Sequence, residues 1–355
     1  MKNNFPKEIN IGDRLIGQGH PCYIIAEIGA NFDQSLDKAK ILIEKAKECG
    51  ADSVKFQSFI SEKIVSRRGF KSMVLKGVHG TWEKPIDEVF REAELPRDWH
   101  YELKEFSDKM GIHFSTSPYD YEAIELCGEL DLPYIKIGSG EITWLEALEH
   151  IARKNKPIFL STGDATLSEI DEAIRTIEAT GNLDLVLLQC ITNYPSKIES
   201  ANIRVLNSYK LAFDILVGYS DHSPGIVVPL GAVSLGACVI EKHFTINKHD
   251  KGPDHPHSME PEEFKQMVKA IRELETALGS TRKIVVDEES ETVIVQRRSL
   301  YARKTLKIGE RIKDNDIVEL RPQLGILPKY KNYIIGKKMK RIVEADEPIR
   351  WSDID

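Results

Sequence analysis

The amino-acid sequence predicts an α/β fold, a (β/α)₈ TIM barrel followed by a small β-rich module. Short β-branched runs alternate with amphipathic helical patterns eight times within about 260 residues, which is the size and rhythm of such a barrel. The alternative, a doubly wound open sheet, usually has fewer strands, and no glycine-rich phosphate loop follows the first predicted strand. After Leu278 the helical patterns give way to short β-type runs separated by turns, so the barrel is expected to end there.

The eight predicted strands are short, apolar and rich in β-branched residues. They are Tyr23–Ile28, Ser53–Gln57, Ile112–Thr116, Tyr134–Ile137, Pro157–Ser161, Leu185–Cys190, Leu216–Tyr219 and Cys238–His243. A segment with helical periodicity follows each strand, in the order Asp37–Cys49, Arg97–Lys109, Tyr119–Cys127, Thr143–Arg153, Ser168–Ala179, Asn202–Phe213, Gly225–Leu235 and Pro261–Leu278. Gly50, Gly111 and Gly181 come closely after three of these helices, where a left-handed C-cap favours glycine.

Three further segments complete the organisation of the chain. Ile9–His20, before the first strand, is expected to form a hairpin that closes the bottom of the barrel. About 40 residues, Phe59–Leu95, separate the second strand from its helix, and an interval of that length usually forms a lid or an ordered insertion. We therefore expect a catalytic barrel domain over residues 1–279, a linker over 280–294 and the β-rich module over 295–355.

The composition is that of a globular protein, with 41% hydrophobic and 30% charged residues and a net charge of -7. A negative balance argues against a nucleic-acid partner, because the phosphate backbone demands a basic surface. The first residues lack the pattern of a secretory signal, and no apolar run reaches the ~20 residues of a membrane span. Five cysteines without a CxxC pair are expected to be buried reduced thiols. The expected location is therefore the cytoplasm, with no membrane partner.

The charge is divided unevenly along the chain. Residues 295–355 contain 15 Lys and Arg against 9 Asp and Glu, a balance of +6 that leaves -13 for the remainder. A basic module on an acidic body is expected to lie against it, within one subunit or between two.

Two lysines are predicted inside the barrel. If Val54 and Phe56 face the helices, Lys55 and Gln57 face inward, and the same alternation turns Lys136 inward. A buried lysine is costly unless an anion meets it, so two near the strand ends indicate a phosphate or carboxylate ligand. The structural alternative is a pair of salt bridges with Glu27, Glu141 or Glu241.

Small hydroxyl residues stand near the same strand ends. Ser139, Ser161, Thr162 and Ser220 recur there, and Ser139 and Thr162 are each followed by glycine. Hydroxyls and backbone N–H groups beside glycine suit phosphate oxygens, although any single Ser-Gly pair is equally typical of a turn. Ser117, after the third predicted strand, is included with them as a substrate-binding candidate.

Histidines and carboxylates at the strand ends indicate a metal and acid–base chemistry. His222 follows the seventh predicted strand and His243 ends the eighth, so the two imidazoles are expected within reach of one divalent cation. The alternative for each of these two histidines is a role in packing or hydrogen bonding. Glu27, Glu141 and Asp254 are the carboxylates expected near this mouth, where they could bind sugar hydroxyls, orient water or transfer protons. Partnering the lysines is the structural alternative for Glu27 and Glu141.

Seven short motifs in this order resemble the sialic acid synthase (N-acetylneuraminate synthase) family. They are Ile25–Gly29, Gly50–Gln57, Lys136–Glu141, Leu160–Gly163, Gly218–His222, Glu241–Thr245 and Gly252–His255, and the resemblance runs from about residue 10 to the C-terminus. It implies a (β/α)₈ barrel, a C-terminal antifreeze-like (SAF) domain, and a homodimer in which each SAF domain covers the partner's active site.

The resemblance also implies roles for individual residues. His222 and His243 correspond to ligands of Mn²⁺ or Mg²⁺. The phosphoenolpyruvate site corresponds to Lys55, Lys136, Ser139, Ser161 and Ser220. Contacts to the amino sugar or its aldehyde correspond to Glu27, Gln57, Tyr194 and Asp254, and Arg321 resembles the arginine delivered to the partner's N-acyl group.

Two departures from the family pattern concern the sugar. The stretch Arg321–Gly325 replaces the usual Arg-Pro-Gly, and Thr192 stands where N-acetylneuraminate enzymes carry asparagine. The resemblance implies a nonulosonate synthase that condenses phosphoenolpyruvate with N-acetylmannosamine or a related amino sugar, and the two departures leave the identity of the sugar open. The alternatives are a legionaminic or pseudaminic acid synthase that uses a diacetamido-trideoxyhexose and, from another class, a non-catalytic SAF-type binding protein.

Overall fold

A computed structural model of the chain describes residues 5–74, 80 and 82–355. It divides into two compact units, Met1–Gly279 and Ser280–Asp355. The predicted linker over 280–294 contains a 3-10 helix, Asp287–Glu289, and the first part of a two-turn helix, Ser290–Gln296. The boundaries of the three predicted segments stay a prediction. Within the described ranges, none of the helices combines the length and apolar character that crossing a bilayer requires.

The first unit contains a short hairpin and an eight-stranded parallel sheet. The hairpin strands are β1 (Glu8–Ile11) and β2 (Arg14–Gly17). The parallel strands are β3 (Tyr23–Glu27), β4 (Ser53–Ser58), β5 (His113–Pro118), β6 (Ile135–Ile137), β7 (Ile158–Ser161), β8 (Leu185–Cys190), β9 (Leu216–Asp221) and β10 (Val239–His243). Their hydrogen-bonded order is β5-β4-β3-β10-β9-β8-β7-β6. The Ser115 hydroxyl of β5 donates to the Tyr134 carbonyl just before β6, at 2.8 Å, so the outermost strands meet. The predicted barrel is confirmed.

Helices alternate with these strands as the periodicity predicts. They are α1 (Leu36–Glu48), α5 (Trp99–Met110), α6 (Tyr121–Glu129), α7 (Leu145–Ala152), α8 (Leu167–Glu178), α9 (Val205–Phe213), α10 (Val227–Ser234) and α11 (Pro261–Leu278). Among them, α6 and α9 begin two and three residues later than predicted. The Asp120 side chain caps α6 by accepting from Ala123 N–H, and Asn202, with φ +46°, lies outside α9.

The insertion after β4 is partly helical. It contains α2 (Ser61–Ile64), α3 (Arg67–Lys71) and α4 (Ile86–Glu92). Residues 75–79 and 81, including His79, which the sequence places in a loop or at the surface, lie outside the described residues. The segment expected to be a lid or an ordered insertion therefore has short helices both before and after residues 75–79 and 81.

The barrel has two apolar regions, one on each side of its strands. Outward-facing side chains such as Val54 and Phe56 pack against the helices in the larger cluster. Inward-facing residues of the N-terminal halves of the strands pack with the hairpin in a second cluster, which contains Ile9, Ile11, Ile16, Tyr23, Ile25, Tyr134, Phe159, Val186, Leu188, Leu216, Cys238 and Val239. The hairpin therefore closes the bottom of the barrel, as expected. All five cysteines are buried and free.

The second unit is small and β-rich. An antiparallel pair, β11 (Ser299–Ala302) and β12 (Ile317–Leu320), is accompanied by isolated bridges and by two short helices, α12 (Ser290–Gln296) and α13 (Lys331–Ile334). This unit has its own apolar core, made of Leu300, Ala302, Leu306, Ile312, Ile317, Ile326, Ile334, Met339, Val343, Ile349 and Ile354.

Candidate active site

Polar side chains fill the barrel interior above the apolar layers. Ile25 is inward and apolar, and two residues later Glu27 ends β3 with a fully buried carboxyl. The same change from apolar to polar occurs along neighbouring strands and opens into a cavity of about 480 Å³ at the carboxyl ends of the strands, which we call the mouth cavity. All the predicted site residues line the mouth cavity except Ser117 and Arg321.

The two predicted lysines meet two carboxylates at the floor of the mouth cavity. Lys55 Nζ lies 2.8 Å from Glu27 Oε2 and 3.9 Å from Glu241 Oε2, while Lys136 Nζ lies 3.5 Å from Glu241 Oε1. All four side chains are 1–6% exposed. The salt bridges to Glu27 and Glu241 that the sequence offered as alternatives are therefore present. Among the described residues, Lys136 has one ion-pair partner, Glu241 at 3.5 Å, whereas Lys55 has two.

The pKa values of this group follow from its burial and its pairing. Burial lowers the pKa of the Lys136 ammonium, because the attraction of Glu241 does not offset the loss of water. Burial also lowers the pKa of Lys55, but Glu241 and Glu27 outweigh it and the net shift is upward. Burial raises the pKa of Glu27 to about 7 against the opposing charge of Lys55. Lys136 is thus the buried cation with the weaker compensation, and an added anion would stabilise it.

Neutral side chains complete the floor. Gln57 donates to Glu27 Oε1 at 2.8 Å, Ser220 donates to Glu241 Oε1 at 3.0 Å, and Lys55 donates to Ser117 Oγ at 3.0 Å. Ser117 therefore lies behind Lys55 and reaches the mouth cavity through that lysine. These contacts orient the charged groups in the structure.

The hydroxyls of Ser139, Ser161 and Thr162, at the ends of the strands near Lys136, differ in their hydrogen bonds. Ser139 Oγ accepts from the Gly163 N–H at 3.0 Å. Ser161 Oγ is buried and has no hydrogen-bond partner in the described part of the chain. The Thr162 hydroxyl is used elsewhere, since it bonds to the Leu188 carbonyl at 3.0 Å and to the Tyr209 hydroxyl. Of these three hydroxyls, those of Ser139 and Ser161 can therefore serve an anion near Lys136, whereas that of Thr162 cannot.

Glu141 lines the mouth cavity without an ion-pair partner within 4.0 Å among the described residues. Burial raises the pKa of its carboxyl to about 7, opposed by the charge of Lys136. A carboxyl with a pKa near neutrality can donate or accept a proton at physiological pH.

The predicted histidine pair also lines the mouth cavity. The ring centroids of His222 and His243 are 5.4 Å apart. His222 Nδ1 lies 2.9 Å from the Ile191 carbonyl, a contact that requires the proton on Nδ1 and leaves Nε2 as an acceptor. Burial lowers the pKa of His222 to about 3 and that of His243 well below its ordinary value, so both rings are neutral at physiological pH. Neutral imidazole is the form that binds metals.

The described residues contain two groups that could hold a metal ion. In the first, ligand atoms of His243, Asp254 and His257 lie within 4.8 Å of one another. The second group, Asp33, Asp250 and His255, already contains the Lys38 ammonium, which bonds to both carboxylates. Only the first lines the mouth cavity.

Two ionisable residues of the mouth cavity, Glu241 and His257, were not among the predicted site residues, although Glu241 was offered as a salt-bridge partner of the lysines. Glu241 could have been found, because it lies two residues before His243 on β10 and shares its inward direction. His257 could not be separated from His255 by sequence. The structure separates them, because both ring nitrogens of His255 are engaged, with Thr245 Oγ1 at 2.6 Å and with Asp33 Oδ1 at 3.0 Å.

Comparison with known proteins decides the family. Residues 42–283 match the model of the NeuB family, and residues 297–355 match the model of the SAF domain. The chain belongs to the NeuB family. The resemblance inferred from the sequence motifs and the predicted SAF module are both confirmed.

Relatives of this NeuB chain carry the names of different synthases. The N,N'-diacetyllegionaminic acid synthase of Legionella pneumophila is 39% identical over 98% of this chain and 99% of that protein. The pseudaminic acid synthase of Helicobacter pylori is 37% identical over 94% of this chain and 98% of that protein. A crystal structure of N-acetylneuraminic acid synthetase from Leptospira borgpetersenii in complex with citrate covers 81% of this chain and 96% of its own, with 31% identity and a TM-score of 0.73.

In the SAF domain of this NeuB protein, Arg321 is exposed directly after β12. Its turn is held by the buried Ser299, whose hydroxyl donates to the Pro322 carbonyl at 3.0 Å and accepts from the Leu324 and Gly325 N–H groups at 3.2 and 3.1 Å. The described residues of this unit give Arg321 no ion-pair partner within 4.0 Å. The turn therefore presents a guanidinium on a hydrogen-bonded support.

The insertion supplies one wall of the mouth cavity, which the sequence did not predict. The wall is apolar and consists of Phe59, Ile64, Val65, Phe70, Trp82, Val89, Phe90 and Ala93. It lies beside a floor of charged groups, so the mouth cavity of this NeuB protein has one ionic and one apolar side.

Proposed function

We propose that this NeuB-family protein is a nonulosonate synthase that condenses phosphoenolpyruvate with the open-chain form of an amino sugar and releases phosphate. The observation that carries this proposal is the incompletely paired Lys136, buried beside Ser139 and Ser161 in the same cavity as the neutral histidines. An anionic substrate would compensate the Lys136 ammonium, and the aldehyde of the sugar would bind beside the two histidines. The synthase names of the relatives support the same reaction class.

In the proposed reaction, carbon 3 of phosphoenolpyruvate attacks the aldehyde carbon and forms the new C–C bond. Water then adds at carbon 2, and phosphate leaves with cleavage of its C–O bond. Lys55 and Lys136 would hold the phosphate and carboxylate charges throughout by preorganised electrostatics. Ser139, Ser161 and Ser220 would bind the oxygens of phosphoenolpyruvate.

Carboxyl groups on the same floor would handle protons and the sugar. Glu27, which accepts from Gln57, would orient the sugar or the attacking water, and Glu141 would transfer a proton at its near-neutral pKa. Gln57, Tyr194 and Asp254 would contact the sugar.

A divalent cation, Mn²⁺ or Mg²⁺, would be held by His222 and His243. The chemistry of these residues fits, because both imidazoles are neutral and one buried nitrogen of His243 has no hydrogen-bond partner among the described residues. When bound, the ion would supply Lewis-acid polarisation of the sugar aldehyde.

The proposed assembly is a cytoplasmic homodimer with exchanged SAF domains. Arg321 on its supported turn would reach the N-acyl group of the sugar in the partner's site. In this arrangement residues 1–279 form the catalytic domain, 280–294 the linker and 295–355 the SAF domain.

The apolar wall favours a second candidate, a legionaminic or pseudaminic acid synthase. A diacetamido-trideoxyhexose carries a methyl at carbon 6 and a second acetyl methyl, whereas N-acetylmannosamine carries hydroxyls at those positions. Each buried methyl group stabilises binding by about 0.8 kcal/mol, and each buried hydroxyl without a partner costs roughly 1–3 kcal/mol. Phe59, Phe90 and their neighbours are suited to the methyl groups.

The test is phosphate release from phosphoenolpyruvate, measured with added Mn²⁺ or Mg²⁺ against a panel of amino sugars. The panel contains N-acetylmannosamine, its 6-phosphate and both diacetamido-trideoxyhexoses. Sugar-dependent phosphate release supports the synthase, and the preferred sugar decides between the candidates. No release with any member of the panel would refute the proposal.

A further inference from the structure

Two histidine nitrogens in the mouth cavity are buried and have no hydrogen-bond partner among the residues that the structure describes. They are Nδ1 of His243 and Nε2 of His257, on side chains that are 7% and 3% exposed. An imidazole nitrogen removed from water without a partner costs free energy, so each of the two is a site that a ligand would stabilise.

Asp254 lies between these two nitrogens. Its Oδ2 is 4.0 Å from His243 Nδ1, and its Oδ1 is 4.0 Å from His257 Nε2. The carboxylate is held in place, because Oδ2 accepts from the Ala30 N–H at 2.9 Å. Gly29 permits this approach, since a Cβ at that position would stand 2.3 Å from Asp254 Oδ2.

The ligand atoms of His243, Asp254 and His257 could bind one metal ion after small shifts of their side chains. Metal–nitrogen and metal–oxygen bonds of about 2.0–2.2 Å place neighbouring ligand atoms of one ion about 3 to 3.5 Å apart. The three ligand atoms here lie within 4.8 Å of one another, so shifts of about 1 Å bring them to that geometry. The rings of His243 and His257 are 4.6 Å apart between centroids and are inclined at 69°, as imidazoles converging on one point can be.

We propose that Asp254 and His257 join the pair His222 and His243, whose ring centroids are 5.4 Å apart, as protein ligands of one divalent cation. The inference rests on the proposed metal dependence and adds two ligands to the histidine pair. With three imidazoles and one carboxylate, the site takes a transition-metal ion such as Mn²⁺, Fe²⁺, Co²⁺ or Zn²⁺ in preference to Mg²⁺, because Mg²⁺ favours oxygen ligands and retains its water.

The first experiment measures Mn²⁺ affinity of the full-length protein from the EPR signal of free Mn²⁺. His257→Phe keeps a ring to pack against Tyr194, whose centroid is 5.0 Å away, and removes the nitrogen. We expect at least tenfold weaker Mn²⁺ binding in His257→Phe and also in Asp254→Asn, together with weaker Mg²⁺ than Mn²⁺ binding in the wild type.

A matched control is His100→Phe. His100 is fully buried on α5, and its Nε2 also has no hydrogen-bond partner within the described ranges. It does not line the mouth cavity. Wild-type Mn²⁺ affinity in His100→Phe together with weakened affinity in His257→Phe supports the assignment. Equal affinities within twofold for wild type, His257→Phe and Asp254→Asn would overturn it.

The second experiment counts imidazole nitrogens by pulsed EPR of the Mn²⁺-loaded wild type, which requires no variant to fold. Three coupled imidazoles are expected, and the His257 coupling should disappear in His257→Phe. Only two couplings, both unaffected by His257→Phe, would contradict the inference. If metal binding depends on His257 but the protein shows no turnover, the synthase proposal is refuted and the ligand set stands. If turnover depends on the metal but His257→Phe binds Mn²⁺ normally, the ligand set is refuted and the synthase proposal stands.

Discussion

Lys242 Nζ lies 2.5 Å from Asp221 Oδ2, and both side chains are almost completely buried, at 2% and 0% exposure. The same ammonium donates to the Ser223 carbonyl and, at 3.4 Å, to the Gly225 carbonyl. Asp221 directly precedes His222, and Lys242 directly precedes His243. The ion pair therefore ties β10 to the end of β9 and to the loop after it, immediately behind the two histidines.

We expect Lys242→Met to disturb the spacing of the histidines as well as the stability of the barrel. The variant leaves the Asp221 carboxylate buried without its cation, which should lower the free energy of unfolding by about 3–5 kcal/mol. In the double variant Lys242→Met/Asp221→Leu, stability should largely return while Mn²⁺ affinity stays at least tenfold below wild type. Urea unfolding and EPR titration on the same preparations measure both quantities.

The control for this pair lies at the bottom of the barrel. Arg272 contacts the buried Asp52 at 3.2 Å, away from the mouth cavity. Arg272→Met should destabilise the protein without changing Mn²⁺ affinity. If the double variant binds Mn²⁺ like the wild type, the pair has a structural role only.

Periodicity was sufficient for the barrel because each strand and helix buries one continuous apolar face. Inward Ile25 and outward Val54 follow the alternation that the sequence shows, and the structure keeps it. Element ends were less predictable, since they depend on single conformations such as the left-handed backbone of Asn202. The apolar wall that the insertion adds to the mouth cavity could not be predicted. Its apolar residues do not follow a helical or strand periodicity over a long segment, and they come together only in the folded chain.

The candidate site was predictable where a polar residue interrupts an apolar strand. Lys55, Lys136 and Glu27 break such strands, and all three line the mouth cavity. The choice of partners was not predictable, since Glu241 approaches both lysines from β10, which pairs with β3 at the other end of the barrel sequence. His257 lies in a loop, where no periodicity reports the direction of a side chain.

Replacing Lys136 should separate anion binding from sugar binding. Lys136→Met removes the incompletely paired ammonium, so KM for phosphoenolpyruvate should rise at least tenfold while KM for the sugar changes less than threefold. Steady-state kinetics with each substrate varied in turn measure both values, and thermal unfolding of the same protein measures stability. Lys156→Met, a surface control, should change neither KM. Near-normal kinetics with earlier unfolding would instead assign Lys136 to structural pairing.

Glu141 should make the stability of the protein depend on pH. Its pKa is raised from 4.5 to about 7 in the folded protein, so the folded state holds a proton that the unfolded chain releases between those values. The free energy of unfolding therefore falls as pH rises through this window. Glu141→Gln should gain stability relative to wild type from pH 5 to pH 8, by up to about 3 kcal/mol. Denaturant unfolding at both pH values tests this, with the exposed Glu146→Gln as the control that should show no such gain.

Removing the metal should abolish turnover without unfolding the barrel. Because His222 would supply one of the imidazole ligands, His222→Ala should lose metal-dependent phosphate release by at least 100-fold and keep its circular dichroism spectrum. A chelator should silence the wild type, and added Mn²⁺ should restore it. Full activity in excess EDTA, or unimpaired His222→Ala, would remove the ion from the mechanism.

The exchanged SAF domain predicts that two inactive subunits can restore each other. Arg321→Ala and His222→Ala homodimers should each be inactive, but a hybrid contains one site with His222 from one chain and Arg321 from the other. After complete exchange of equal amounts, half of the dimers are hybrids with one intact site each, so activity should reach about a quarter of wild type. Arg298→Ala, which replaces an exposed arginine of the same unit that donates to the Glu319 carbonyl, should remain active by itself. If Arg321 serves its own subunit, every dimer in the mixture lacks a complete site, and verified subunit exchange then yields no phosphate release.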